Sequence, residues 1–140
     1  MRVARLTIER FRGVKSAKLH FSGHALFIGT NNVGKSSVCE ALDLVLGPDR
    51  LSRFPPVEEF DFYNAEYRDA DGNPLPLRVE VVLTDLSAEV ANACGTHLEF
   101  WNEDGQRTLD RGEIAQADAP KTTACLRIET VGQYNLVFRV

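Results

Sequence analysis

Phe27-Ile28-Gly29-Thr30-Asn31-Asn32-Val33-Gly34-Lys35-Ser36-Ser37 is the stretch on which the reading of the fold turns. Within it, Gly29 to Ser36 fits G-x-x-x-x-G-K-[ST], the pattern of a phosphate-binding loop. Such a loop wraps round an anion with its main-chain N–H groups pointing inward, so glycine is needed wherever a side chain would intrude. Lys35 offers a point charge to β- and γ-phosphate oxygens, and Ser36 offers a hydroxyl to Mg²⁺, a hard cation that prefers oxygen. A helix after the loop aims the positive end of its dipole at the anion.

The flanks suit that arrangement. His24-Ala25-Leu26-Phe27-Ile28 is almost continuously apolar, which predicts a strand buried on both faces. A helix is expected from about Ser36 to Leu46, with Gly47 as its C-cap and Pro48 unable to continue it. Ser37, Glu40 and Asp43 form one narrow polar stripe, so the helix is expected to be buried on most sides. Upstream, Leu6 and Ile8 alternate with Thr7 and Glu9, Arg12-Gly13 marks a turn, and Ala17, Leu19 and Phe21 alternate again. That period of two predicts an antiparallel strand pair.

Downstream, residues 51–76 read as a proline-bearing loop with an acidic run from Glu58 to Asp71. Leu77 to Leu83 alternates as a strand, with Arg78 and Glu80 on a wet face. Asp85 or Ser87 is placed to cap a short helix that Gly95 ends. Leu98 to Trp101 and Arg107 to Leu109 predict a hairpin about a polar turn, with Trp101 as packing. After a loop at 110–122, Cys125 to Val131 and Tyr134 to Val140 predict a last strand pair. The organisation expected is one partial domain: strand pair, loop and first helix over 1–50, a connecting loop over 51–76, and a β-rich lobe over 77–140.

Composition narrows the function classes. A chain of 140 residues accommodates one core, and 44% hydrophobic with 26% charged residues excludes disorder along its whole length. No run of about eighteen apolar residues occurs, so no membrane association through a spanning helix is expected. The opening MRVARLTIER lacks the apolar run of a secretory signal. Cys39, Cys94 and Cys125 are three in number and form no CxxC, which points to a reducing cytoplasm; each is expected to be a small buried side chain. His20, His24 and His97 are scattered and read as solvated rather than as ligands. The net charge of −4 hides an asymmetry: residues 1–21 hold six basic groups against Glu9 alone. Such a basic hairpin could face nucleic-acid phosphates, with a solvated strand pair as the alternative.

Nucleotide-binding classes separate on their second motifs. Asp69-Ala70-Asp71-Gly72 matches the DxxG of GTPases, but no apolar strand precedes it and N-K-x-D is absent, so it reads as a polar turn. A catalytic carboxylate after an apolar strand is approximated only by Val81-Val82-Leu83-Thr84-Asp85, where Thr84 interrupts the run and Leu86 follows. No LSGG-like signature is present. The chain thus offers a triphosphate seat without a convincing group to position the attacking water.

Leu6-Thr7-Ile8-Glu9-Arg10-Phe11-Arg12-Gly13-Val14, followed by Phe27 to Ser37, resembles the start of the RecF and SMC group of ABC-type ATPase heads. Glu40 to Arg53, with Pro55-Pro56 and Phe60-Asp61-Phe62-Tyr63, resembles more narrowly the OLD (overcoming lysogenization defect) family of ATP-dependent endonucleases. The resemblance implies an α/β P-loop NTPase, the amino-terminal portion of an ABC ATPase head with an antiparallel β-lobe. It implies ATP and Mg²⁺ as cofactors, with phosphate contacts at Gly29, Asn32, Gly34, Lys35, Ser36 and Ser37. Asn31 lies in the same loop. Lys35 is the catalytic candidate and Ser36 the metal ligand. Arg12, near the first turn, is a weaker candidate to approach the nucleotide, and a glutamine facing the metal is sought at Gln133, with Gln106 and Gln116 competing. The family's Toprim nuclease domain has no counterpart in these residues. The partners implied are DNA through the full-length protein and either a second head or the missing carboxy-terminal half. The alternatives are a non-catalytic subunit that binds a partner and an independent small NTPase.

Overall fold

A computed structural model describes residues 1–30, 34–52, 55–109, 113 and 121–134. Its centre is an antiparallel sheet of strands β1 (Arg2–Phe11), β2 (Val14–His20), β3 (Leu77–Thr84), β4 (Glu99–Asn102), β5 (Arg107–Leu109) and β6 (Thr122–Gly132), in the order β2-β1-β3-β6-β4-β5. The helices are α1 (Lys35–Leu46), α2 (Pro48–Leu51) and α3 (Ala88–Cys94). Pro48, which cannot extend α1, instead opens the next turn, where its missing N–H costs nothing. Ser87 caps α3 by accepting from the Val90 N–H.

Alternation along the strands builds one main core. Leu6, Ile8 and Phe11 of β1 and Leu77, Val79 and Val81 of β3 turn to one face, where α1 covers them with Val38, Ala41, Leu44 and Val45. Each fully buried Leu, Ile, Val or Phe among them contributes about 1.5–3 kcal/mol of transfer free energy. The register shifts between Val3 and Arg5, a bulge that turns Ala4 to the opposite face. There Ala4 joins Val82, Trp101 and Cys125 in a second, smaller cluster, so Trp101 is packing, as expected.

That opposite face is less wet than the alternation implied. Glu80 is only 6% exposed and accepts a hydrogen bond from Arg5 at 2.8 Å, with Arg78 and Arg127 each 3.6 Å away. Arg5 lies 75 residues from Glu80 in the chain, so only the fold reveals the pair. Arg127 also binds Glu99, Arg78 binds Glu129, and the Arg5 guanidinium stands 5.4 Å over the Trp101 ring.

The expected strand at 24–28 does not form. No strand is assigned there and none pairs with the segment among the described residues, and Leu26 and Ile28 are 83% and 85% exposed. The main-chain ladder that would bury it needs neighbours on both sides, and the sheet ends at β2. The first helix departs from expectation too: Ser37, Val38, Ala41, Leu44 and Val45 are buried, but Cys39 and Leu46 are exposed. Of the cysteines only Cys125 is buried; Cys94 is half-buried. The 51–76 region contains two single 3-10 turns, Glu59–Asp61 and Tyr63–Ala65, and the acidic run is not all solvated, because Asp61 is buried. β6 begins at Thr122, ahead of the expected Cys125. Its expected partner beyond Tyr134 lies outside the described residues.

Candidate functional site

The β1–β2 turn and the start of α1 are built against each other. Gly34, at the helix entry, has φ +81°, a left-handed conformation that strains any residue with a Cβ. A Cβ there would also lie 3.1 Å from Val14 Cγ2, and one on Gly13 would lie 3.6 Å from Ser37 Oγ. The hairpin tip therefore packs closely against the start of the helix. At that end Gly34 is the N-cap residue and has no side chain with which to cap, and the first turn holds no acidic residue. An uncapped helix leaves its first N–H groups without intrahelical partners and carries the positive pole of the dipole. A helix start of this kind can receive an anion.

Lys35, Ser36 and Ser37 occupy this turn, as the motif requires. The Lys35 ammonium donates to the carbonyls of Gly29 and Thr30. Ser36 is exposed, with its hydroxyl available to a cation, whereas Ser37 is 7% exposed and packs beneath the hairpin turn. Asn31 and Asn32 lie outside the described residues. The donor set fits a nucleotide with Mg²⁺: first-turn amides and an ammonium for phosphate, and a hard oxygen for the metal. Among the described residues no group of three His, Cys, Asp or Glu side chains could hold a metal ion.

Arg12 is engaged elsewhere. Its Nε donates to Asp61 Oδ1 at 2.9 Å, its Nη1 stands 2.5 Å from Glu40 Oε1, and its main-chain N–H donates to the Asp61 carbonyl at 2.8 Å. It thus ties the hairpin turn to α1 and to the segment after Pro56. Asp61 was missed as a positioning residue because it reads as one of a solvated acidic run; its partner is 49 residues away. Proximity of Phe60-Asp61-Phe62 to an apolar pair was the available signal, since Phe62 is also buried and bridges Phe11.

Strand register sorts the remaining candidates by which end of the sheet they occupy. Asp85 follows Thr84, which pairs with Arg2, and its carboxylate accepts from Arg2 Nε. Gly13 lies at the other end of the ten-residue β1, roughly 30 Å away at the usual rise per residue. Gln106, in the β4–β5 turn, belongs to the Asp85 end, because Asn102 pairs with Thr122 at the start of β6. Gln133 follows Gly132, which pairs with Leu77 beside the Arg78–Glu9 pair, so it belongs to the Gly13 end and is exposed there. Gln116 lies outside the described residues.

Asp69 forms the expected polar turn: its carboxylate accepts from the Asn73 side chain and from the Asn73 and Asp71 N–H groups, which holds its pKa below the usual value. His20, His24 and His97 are all exposed. Among the described residues no helix is long and apolar enough to cross a membrane.

Residues 1–123 match a family model described as an AAA ATPase domain. No curated protein and no solved structure matches the chain. The match covers the hairpin, the loop, α1 and the first strands of the lobe, and it carries nucleotide binding and ATPase function as the family's business.

Proposed function

The chain belongs to the AAA ATPase domain family, and on that premise we propose that Gly29 to Ser37 bind ATP with Mg²⁺ in the amino-terminal part of an OLD-type ATPase head. The observation that carries this reading is the uncapped, acid-free start of α1 at a left-handed Gly34, with Lys35 beside it. On binding, the first-turn N–H groups donate to phosphate oxygens. The Lys35 ammonium would turn from the Gly29 and Thr30 carbonyls to the β- and γ-phosphates, and the Ser36 hydroxyl would hold the metal. Mg²⁺ supplies neutralisation of the phosphate charge.

Hydrolysis also needs a group that orients water. Asp85 stands at the wrong end of the sheet for that role, which disfavours an independent small NTPase built on it. Gln133 is at the correct end and is the better candidate to face the metal. We assign the remaining machinery to segments outside residues 1–140 or to a second head. The exposed Leu26 and Ile28 favour that reading over a self-sufficient chain. Coupling of ATP to DNA processing follows from the OLD resemblance, with the exposed Lys15 and Lys18 of β2 as the basic approach.

Calorimetric titration of ATP into the chain tests the core of this reading. Binding should require Mg²⁺ for full affinity and should weaken at least about tenfold in Lys35→Ala, the loss of a charge-assisted contact. Equal affinity in the variant would contradict the assignment.

A further inference from the structure

The basic hairpin is mostly neutralised within the molecule. Arg2 is paired with Asp85 and Glu103, Arg5 with Glu80, Arg10 with Glu66, and Arg12 with Glu40 and Asp61. Among the described residues Lys15 and Lys18 have no ion-pair partner, and both are exposed on β2. That strand holds no acidic residue and no proline. It ends the sheet and pairs with β1 alone among the described residues. Its outer row of main-chain N–H and C=O groups is thus open, and such an edge is a template for a further strand.

The two faces of this edge differ. Ala17 and Leu19 stand opposite Ile8 and Leu6, on the face that α1 covers. Beside them a groove of 390 Å³ runs between β2 and α1, with Val14, Val38, Phe27 and Ile28 in its walls. Lys18 and His20 stand opposite Thr7 and Arg5, on the other face. A strand laid along β2 alternates its side chains between these two faces. We infer that the β2 edge adds an extended segment of a partner protein in which acidic and apolar residues alternate. Nothing in this edge site rests on the phosphate-loop reading. Charge complementarity selects the occupant. A second copy's β2 would bring the lysines of both chains onto one ribbon, where like charges repel. Two lysines can guide a nucleic-acid duplex but release too few counterions to hold one. Main-chain hydrogen bonds supply the affinity, and alternation fixes the register, since a slip of one residue turns the acids into the apolar groove.

The test titrates the intact chain with a short synthetic peptide that alternates glutamate and valine, followed by amide shift mapping. The largest shifts should run along Val14–His20. A peptide of the same composition with its glutamates grouped at one end should bind at least about tenfold more weakly. Two N-methylated forms separate strand addition from plain charge attraction. Alternate amides of an added strand face the edge, so methylating one alternate set should abolish binding and methylating the other should leave it within about twofold. Lys15→Glu combined with Lys18→Glu should weaken the glutamate peptide at least about tenfold and admit the matching lysine–valine peptide, which shows that the variant is folded. The inference is overturned if about 1 mM peptide leaves β2 unmoved, if the grouped peptide binds equally, or if both methylated forms behave alike. It is overturned equally by a DNA duplex that saturates the β2 resonances where the peptide does not, and by self-association of the peptide-free chain through β2.

Discussion

Two runs of apolar residues, nearly alike as sequence, meet opposite fates. In β3, Leu77, Val79, Val81 and Val82 are fully buried, with β1 and β6 paired on either side and α1 above. In Ala25 to Ile28, which precedes the phosphate loop, Leu26 and Ile28 are almost fully exposed. The difference is not in propensity. β3 has a ladder partner on each edge from within the chain, and the 24–28 segment has none among the described residues. An apolar run states a need for cover; whether the cover exists depends on the rest of the assembly.

The largest expected effect is the one that could break this contrast. Leu77→Ala should cost about 2–5 kcal/mol in denaturant unfolding, as large-to-small changes in a closed core do. Leu26→Ala should stay within about 0.5 kcal/mol, as at an open surface. Comparable losses at both sites would mean that the 24–28 segment is already covered in solution. Asp61→Ala comes next. It removes the buried carboxylate that anchors Arg12, at about 1–3 kcal/mol for a charge-assisted hydrogen bond. It should also lower ATP affinity by loosening the hairpin tip from α1; unchanged ATP affinity would confine Asp61 to stability. At the junction of the two regions, Gly34→Ala should destabilise by about 1–2 kcal/mol through its left-handed φ, measured as a shift in thermal midpoint.

The smallest effects sharpen the contrast through the cysteines. The Cys125 thiol is pushed up to about 11, chiefly by burial and then by Glu99, so its folded form holds the proton more tightly than the unfolded chain does. Its contribution to stability is therefore full below about pH 9 and is lost as pH rises from there to about 11. Cys125→Ala should flatten that decline, and an unaltered alkaline slope would assign it to other groups. In the native chain at pH 8, iodoacetamide should modify exposed Cys39 and spare Cys125; modification of both at one rate would contradict the burial of the second cluster.

What was legible beforehand divides along the same line. Leu6 and Ile8, Leu77 to Leu83, and the β4–β5 hairpin declare themselves because their period of two is answered by partners within the chain. Gly34, Lys35 and Ser36 are legible as a helix start because that signal is local: spacing alone specifies the turn and the first helical residues. Glu80 was not legible as a buried charge, nor Asp61 as an anchor, because Arg5 and Arg12 reach them across 75 and 49 residues. The separation of Asp85 from the Gly13 end of the sheet needed the register of β3 against β1, which no local pattern encodes. The exposure of Leu26 and Ile28 depends on strands that their own sequence does not mention.

The claim beneath all of this is that phosphate binds at the amino end of α1. Amide chemical-shift mapping during titration with a nonhydrolysable ATP analogue and Mg²⁺ tests it most directly. The expected result is that the resonances of Gly34, Lys35, Ser36 and Ser37 move furthest and saturate together, while those near Arg2 and Asp85 stay in place. Saturable shifts centred on the Arg2–Asp85 end, with the first turn of α1 unmoved, would contradict it.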